Sequence, residues 1–145
     1  MVRRRGQEYR YSGITLRPMP LTPTLDMILA RVEALTGERF NGVLLNLYRH
    51  GNDGMSWHSD DEPELGESPV IASISLGAPR RFVLRARHDS SVRLALDLNP
   101  GSLLLMEPPL QAHWQHAVPK TARACGARIS LTWRLITARR QGPSR

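Results

Sequence analysis

The chain has almost no cysteine and almost no lysine. Cys125 is the only thiol among 145 residues, so no internal disulfide framework can form, and the chain suits a reducing compartment. Of 20 basic residues only Lys120 is lysine and the other 19 are arginine, a skew that genomic codon bias is enough to produce. No apolar run approaches the ~18 residues that a transmembrane helix needs, which argues against a membrane-spanning chain. The N-terminal MVRRR is basic with no apolar segment behind it, which argues against a secretory signal. A cytoplasmic location is expected, or a nuclear one in a eukaryote. Acidic residues are in deficit too: 13 stand against 20 basic ones, a net charge of +7. The resulting pI near 10.9 favours a polyanionic partner such as nucleic acid.

Repeats and long linkers are also missing. A chain of 145 residues supports one domain spanning 1–145 and has no room for two full-sized cores. Such a domain buries roughly 70% of its unfolded surface, so neither disulfides nor a structural metal are required for folding. Residues 1–13 (MVRRRGQEYRYSG) read as an extended arm or a lone hairpin, and 140–145 as a flexible tail. Helix is scarce. Only 22–37 predicts one, with Thr22 as cap, Pro23 in the first turn, Gly37 as stop and an apolar stripe of Leu25, Ile28, Val32 and Leu35. Everything after residue 42 reads as short strands: 43–49, 55–59, 70–76, 80–87, 92–98, 102–106, 114–118 and 127–136. Phe82, Leu84 and Ala86 alternate with Arg81, Val83, Arg85 and Arg87, giving one apolar and one basic face. Turn residues such as Asn99-Pro100-Gly101 separate the strands. Eight strands at this spacing predict a mainly β fold, an antiparallel sandwich or jelly roll, with the helix covering one sheet.

Within that frame, His58-Ser59-Asp60 is the first sign of chemistry. Residues two apart on a strand share a face, so imidazole and carboxylate can converge on one ion. A third ligand must come from another strand, and His116 is the natural candidate. Two His and one carboxylate with open positions form the facial triad of non-haem Fe(II) oxygenases, although His-x-Asp alone is a common chance pattern. The second sign is Arg128-Ile-Ser-Leu-Thr-Trp-Arg134. Arg128, Ser130, Thr132 and Arg134 share one face of this strand, and Ile129, Leu131, Trp133 and Leu135 the other. If the polar face looks inward, the two arginines could grip opposite ends of a short diacid such as 2-oxoglutarate. If it looks outward, it is a basic face touching solvent or phosphate. Alternation alone leaves both open.

The order Asn46-x-Tyr48, His58-x-Asp60, His116 and Arg128-x5-Arg134 resembles the AlkB family of Fe(II)/2-oxoglutarate dioxygenases that repair alkylated nucleic acid. The likeness runs from about Tyr9 to Ile136 and is nearest to the DNA-repair branch with its aromatic Tyr-x-Tyr-Ser-Gly motif. It implies a double-stranded β-helix with one main helix outside. Fe(II) would be ligated by His58, Asp60 and His116, with O2 and 2-oxoglutarate as cosubstrates. Asn46, Tyr48, Arg128, Thr132 and Arg134 would hold 2-oxoglutarate, Arg128 and Tyr48 on its distal carboxylate. Tyr9 and Tyr11 match the lid, where Tyr11 and His58 would sandwich a flipped base. Asp61 and Glu62 match positions that touch the base. The activity implied is oxidative demethylation of N1-methyladenine and N3-methylcytosine in DNA, releasing succinate, CO2 and formaldehyde.

A lesion methylated at those ring nitrogens is cationic, which gives Asp61 and Glu62 a reason to stand in an otherwise basic protein. Relatives in that branch carry an apolar wedge ahead of the aromatic motif, whereas only eight residues precede Tyr9 here. A preference for single-stranded substrate is therefore expected, and the chain is separately expected to be a monomer. The arm arginines Arg3, Arg4 and Arg5 and the Arg81/Arg85/Arg87 face would contact phosphate. Rival readings are a same-fold dioxygenase for RNA or protein methyl groups, a non-catalytic basic nucleic-acid-binding module, and a fragment with a mis-set start. Glu64 and Glu67 read as a solvated acidic loop, Trp57 and Trp114 as core, and His50 and His88 as solvated turn residues. His113 has no cysteine pair beside it and is not read as a zinc ligand.

Overall fold

Period-two alternation decides the architecture, and the eight predicted strands form within a residue or two of their expected bounds. The structure, a computed structural model, describes residues 2–3, 9–11, 14–17 and 19–137. Arg4, Arg5 and the 140–145 tail lie outside the described residues, as do the side chains of Arg3, Tyr9 and Tyr11. The N-terminal elements are β1 (Val2–Arg3), β2 (Tyr9–Tyr11), β3 (Ile14–Leu16) and β4 (Met19–Pro20), followed by α1 (Pro23–Thr36). Then come β5 (Gly42–Tyr48), β6 (Met55–His58), β7 (Ile71–Gly77), β8 (Arg80–Ala86), β9 (Arg93–Leu98) and β10 (Leu103–Met106). A short helix α2 (Leu110–His113), β11 (Trp114–Val118) and β12 (Arg128–Arg134) close the order. The arm is more than a lone hairpin. β2 and β3 do pair as one, but β1 joins the large sheet between β5 and β4.

Two sheets face each other. The larger runs β10-β7-β12-β5-β1-β4 and the smaller β6-β11-β8-β9, so the chain crosses repeatedly from one to the other, the winding of a double-stranded β-helix. One core lies between them, where Tyr48, Leu65, Ile71, Phe82, Leu84, Leu98, Met106, Val118 and Ile136 pack together. The second lies outside the larger sheet, where α1 covers Val43, Ala72, Leu131 and Trp133. Gly77 allows β7 and β12 to close at one end, for its φ of 86° suits glycine. A Cβ there would also collide with the carbonyl of Ala127.

The helix begins and ends where its caps stand. The Thr22 hydroxyl accepts from the Leu25 N–H at 3.2 Å, and Gly37 turns left-handed, its N–H donating to the Glu33 carbonyl. Its buried stripe is Leu25, Leu29 and Val32, not the stripe ending at Leu35, which is 65% exposed. At 3.6 residues per turn Leu35 lies about 80° round from Leu25, past the edge of the contact, while Leu29 lies within it. Each buried Leu or Val stabilises by about 1.5–3 kcal/mol, enough to hold the helix down. The apolar face of β12 is likewise covered only under α1, since Ile129 and Leu135 are exposed. No helix among the described residues is long and apolar enough to cross a membrane.

Candidate metal centre

β12 resolves the ambiguity of its own alternation. Arg128, Ser130, Thr132 and Arg134 are all buried between the sheets and line one cavity together with Asn46, Tyr48, His58, Asp60 and His116. The polar face therefore looks inward. Register explains the grouping: β12 pairs with β5 so that Arg128 stands opposite Tyr48 and Ser130 opposite Asn46. On its other side Ser130 stands opposite Ser75 and Thr132 opposite Ser73. All nine cavity residues named here are ones that the sequence singles out.

At one end of the cavity the three metal-ligand candidates meet. One ligand atom from each of His58, Asp60 and His116 lies within 4.8 Å of the others. The two histidines are cross-strand partners on β6 and β11, with ring centroids 4.3 Å apart. A register irregularity follows: between His58 and Met55 the β6 strand spends one residue more than β11 does between His116 and Val118. Such a bulge re-aims side chains. Met55 and His58 both line the cavity, while Trp57 turns to the outer face under Arg85 and Arg93 rather than entering the core. Trp114, in contrast, packs against the inner core as expected.

The three candidates are held in different ways, by a backbone carbonyl at His58, a ring contact at His116 and an ion pair at Asp60. His58 Nδ1 is 2.7 Å from the Ser56 carbonyl, which places the proton there and leaves Nε2 as lone pair. Burial, with the neighbouring His116 adding to it, lowers the His58 pKa and favours the neutral ligating ring. His116 stacks on Phe82 at 5.2 Å, and its Nε2 is 3.3 Å from Asp60 Oδ2. Asp60 reaches the cavity differently from the way sequence spacing suggests, because β6 ends at His58. The Ser59 hydroxyl donates to the Trp114 carbonyl at 2.7 Å, and the Asp60 N–H donates to Gln111 Oε1 at 2.8 Å. Burial would raise the Asp60 pKa, but Arg134, Nη2 to Oδ1 at 2.7 Å, and then His116 hold it well below the usual carboxylate range. Two imidazoles and one ionised carboxylate form a donor set that fits a divalent iron with open positions.

At the other end Arg128 is buried with few partners. Nη2 donates to the Ser75 hydroxyl at 2.9 Å, and its carbon lies 4.9 Å from the Tyr48 ring centroid. Nε and Nη1 are buried with no hydrogen-bond partner. Burial lowers the pKa of this guanidinium, with Tyr48 opposing. Two idle donors on a buried guanidinium, in a cavity lined by both polar and apolar groups, suit an anionic carboxylate that accepts from them. The residues thus fit a short diacid reaching from Arg128 toward the three ligands.

The acidic stretch after Asp60 does not act as one unit. Asp61 is exposed and pairs with Arg87 at 2.8 Å, while Glu62 turns inward, its Oε1 3.6 Å from Arg134 Nη1. Glu64 is half-buried instead of solvated, because Leu65 in the 3-10 turn Pro63–Leu65 enters the core. Glu67 is exposed. Three contributors escape sequence reasoning. Gln111 and Ser75 position Asp60 and Arg128 from far along the chain. Buried Arg80 donates to the carbonyls of His50, Asp53 and Pro119 and lies 5.6 Å from the Tyr48 ring. No local pattern marks any of them; Arg80 is visible only as an arginine on the apolar parity of β8.

Comparison with known proteins agrees with this geometry. The model of the 2OG-Fe(II) oxygenase superfamily matches residues 2–134. Alpha-ketoglutarate-dependent dioxygenase alkB homolog 3 of Bos taurus is 44% identical over 137 residues, covering 88% of this chain and 48% of its own length. DNA oxidative demethylase ALKBH2 of Mus musculus is 41% identical over 138 residues, covering 90% of this chain and 58% of its own length. The chain thus spans about half the length of the curated relatives it matches. The solved structure of OsALKBH1 shares the fold, with a TM-score of 0.62 at 17% identity over 82% of this chain and 66% of that one. Matched by its model over nearly the whole length, the chain belongs to the 2OG-Fe(II) oxygenase superfamily, and Fe(II), 2-oxoglutarate and O2 are the metal and cosubstrates that membership implies.

Proposed function

We propose that this chain carries out oxidative demethylation of N-alkylated bases in nucleic acid, with N1-methyladenine and N3-methylcytosine in DNA as type substrates. The observation that carries the reading is the pairing, across one cavity, of the His58–Asp60–His116 cluster with Arg128, a buried arginine short of two partners. The relatives named as a dioxygenase and a DNA oxidative demethylase supply the substrate class. Fe(II), when bound, would supply the redox chemistry by which O2 oxidises both 2-oxoglutarate, to succinate and CO2, and the N-methyl group, which is lost as formaldehyde.

The protein's own groups do the rest. His58 and His116 offer ring nitrogens to the metal, and Asp60 is kept ionised by Arg134. Arg128 and Tyr48 take the distal carboxylate, with Asn46, Thr132 and Arg134 lining the remainder. Asp60 and His116 are only 2% and 4% exposed, so a base inside a duplex cannot reach them without leaving the stack. Unpaired or single-stranded lesions therefore react with least cost. In this reading the β2–β3 hairpin carries Tyr9 and Tyr11 as a stacking lid, and Asp61 and Glu62 favour a cationic base.

Mass spectrometry of a methylated oligonucleotide incubated with protein, Fe(II), ascorbate and 2-oxoglutarate tests the proposal. Loss of one methyl mass is expected, faster on a single strand than on the same lesion in a stable duplex. Consumption of 2-oxoglutarate with the oligonucleotide mass unchanged, for DNA and RNA alike, would move the substrate to another class.

A further inference from the structure

The smaller sheet carries two cross-strand charge pairs on its solvent face, and they are built in opposite ways. Arg81 stands opposite Asp97, with its Nε 3.6 Å from the carboxylate. Arg85, on the same face of the same strand, stands opposite Arg93. Like charges directly opposite one another destabilise an antiparallel pair. Here they are also drawn together: the guanidinium carbons of Arg85 and Arg93 lie 4.3 Å and 5.6 Å from the centroid of one ring, Trp57. The hydrogen bonds that hold them are neutral. Arg85 Nε donates to Gln115 Oε1 at 3.0 Å, and Arg93 Nε to the Ser90 carbonyl at 2.9 Å. Among the described residues neither has a carboxylate within ion-pair distance, whereas Arg81 and Arg87 both do. The basic face of β8 is therefore not uniform. Two of its arginines are already neutralised, and the third is stacked with a fourth from β9.

We propose that Trp57, Arg85 and Arg93 form a phosphate clasp for the nucleic-acid strand that flanks the base held at the metal centre. A phosphodiester seated between the two guanidinium groups accepts hydrogen bonds from both and removes their mutual repulsion. The indole keeps both groups from dispersing, so little side-chain freedom is lost on binding. Placement supports the role. Trp57 precedes His58 on β6, an edge strand of the smaller sheet, so clasp and metal centre lie on opposite faces of one strand. A backbone passing over that edge meets both. The inference rests on the nucleic-acid reading above and names which surface the strand follows.

The test is the salt dependence of binding to an unmethylated, labelled single strand of about 15 nucleotides, read by fluorescence anisotropy between roughly 50 and 200 mM salt. An R85Q/R93Q variant should lower the slope of log K against log salt by about 0.7, the loss of one phosphate contact on a single strand. R31Q, which removes one positive charge from an exposed position on α1, should leave the slope as it is in the wild type. The melting temperature of R85Q/R93Q should hold or rise as the like-charge pair is relieved. R93Q alone, at an exposed edge position, gives the same readout in smaller form if the double variant does not fold. A slope equal to that of R31Q, or a lowered melting temperature with the slope unchanged, overturns the clasp and makes the cluster structural. Because the probe carries no methyl group, this result is separate from turnover. A failed demethylase reading shows as no methyl loss in the wild type, and a failed clasp as an unchanged slope while methyl loss proceeds.

Discussion

Arg128 and Arg134 occupy the same face of β12 and are equally buried at 2% exposure, yet their surroundings differ completely. Arg134 is committed before any ligand arrives, one nitrogen on Asp60 at 2.7 Å and another 3.6 Å from Glu62. Arg128 has a serine hydroxyl and the ring of Tyr48, with two donors buried and idle. A charge withdrawn from water without a counter-charge is costly, and burial shows that cost as a lowered pKa. One end of the cavity is therefore finished by folding and the other is left to be finished by an anion. The same residue type serves as scaffold at one end and as receptor at the other, and only the third dimension distinguishes them.

The strongest way to break that contrast is at the finished end. Asp60→Ala removes a metal ligand and also takes from Arg134 its 2.7 Å partner, leaving Glu62 at 3.6 Å; breaking such a buried pair should cost up to roughly 3–5 kcal/mol of stability. His58→Ala removes a ligand from a half-buried ring and strands nothing. Both should lose Mn(II) binding by calorimetry and all 2-oxoglutarate turnover, but only Asp60→Ala should melt far below the wild type. Equal melting temperatures would mean that the Arg134–Asp60 pair contributes nothing to the fold.

The receptor end should behave in the reverse manner. Arg128→Ala should leave the melting temperature unchanged or slightly raised, since it relieves a desolvated charge. It should weaken 2-oxoglutarate by roughly 2–5 kcal/mol, the range for truncating one partner of a buried charge pair. Arg128→Lys should recover little, because an ammonium does not reproduce the two-pronged geometry. Unchanged affinity in both variants would separate the cavity from the cosubstrate.

The contrast also marks what a linear sequence can and cannot express. The strands, the helix caps and the polar candidates from Asn46 to Arg134 that meet in the cavity are legible, since alternation, Thr22, Pro23 and Gly37 are local signals, whereas Ser73 and Met106 in the same lining are not. Which face of β12 looks inward is not local, for an alternating pattern is symmetric until something covers one side. Covering by α1 reaches Trp133 and Leu131 but not Ile129, so even the apolar face is only partly core. The choice of Leu29 over Leu35 turns on where the helix axis meets the sheet. The bulge in β6 brings Met55 to the cavity face beside His58 with no change in composition to announce it. Asp60, expected on a strand beside His58, is held instead by Gln111 and by the Ser59–Trp114 bond, contacts that join residues more than fifty positions apart. Ser75 and Arg80 are hidden for the same reason.

Ser75 offers a milder test of the receptor end. Its hydroxyl accepts the one hydrogen bond from Arg128 that is satisfied without ligand. Ser75→Ala should cost about 1.5 kcal/mol, the low end for hydrogen bonds to charged groups. An anion that satisfies Arg128 should restore part of it, so the rise in melting temperature on adding 2-oxoglutarate with Mn(II) should exceed that of the wild type. An equal rise would place the cosubstrate away from Arg128.

The smallest effect belongs to the surface end of the acidic stretch. Asp61 and Arg87 are 59% and 39% exposed and meet at 2.8 Å. Water and salt screen such a pair, and its coupling in a double-mutant cycle should fall between about 0.2 and 1 kcal/mol. Half-screened by Arg87, Asp61 can add only modestly to selection of a cationic base, while Glu62 stands nearer the cavity but shares its field with Arg134. Asp61→Asn and Glu62→Gln should each slow demethylation of N1-methyladenine more than that of an uncharged alkylated base, by a factor of a few rather than by orders of magnitude. Arg87→Gln should shift the ratio the other way, because it unmasks Asp61. Equal losses on both substrates in all three variants would show that the carboxylates position the loop and do not read the charge of the base.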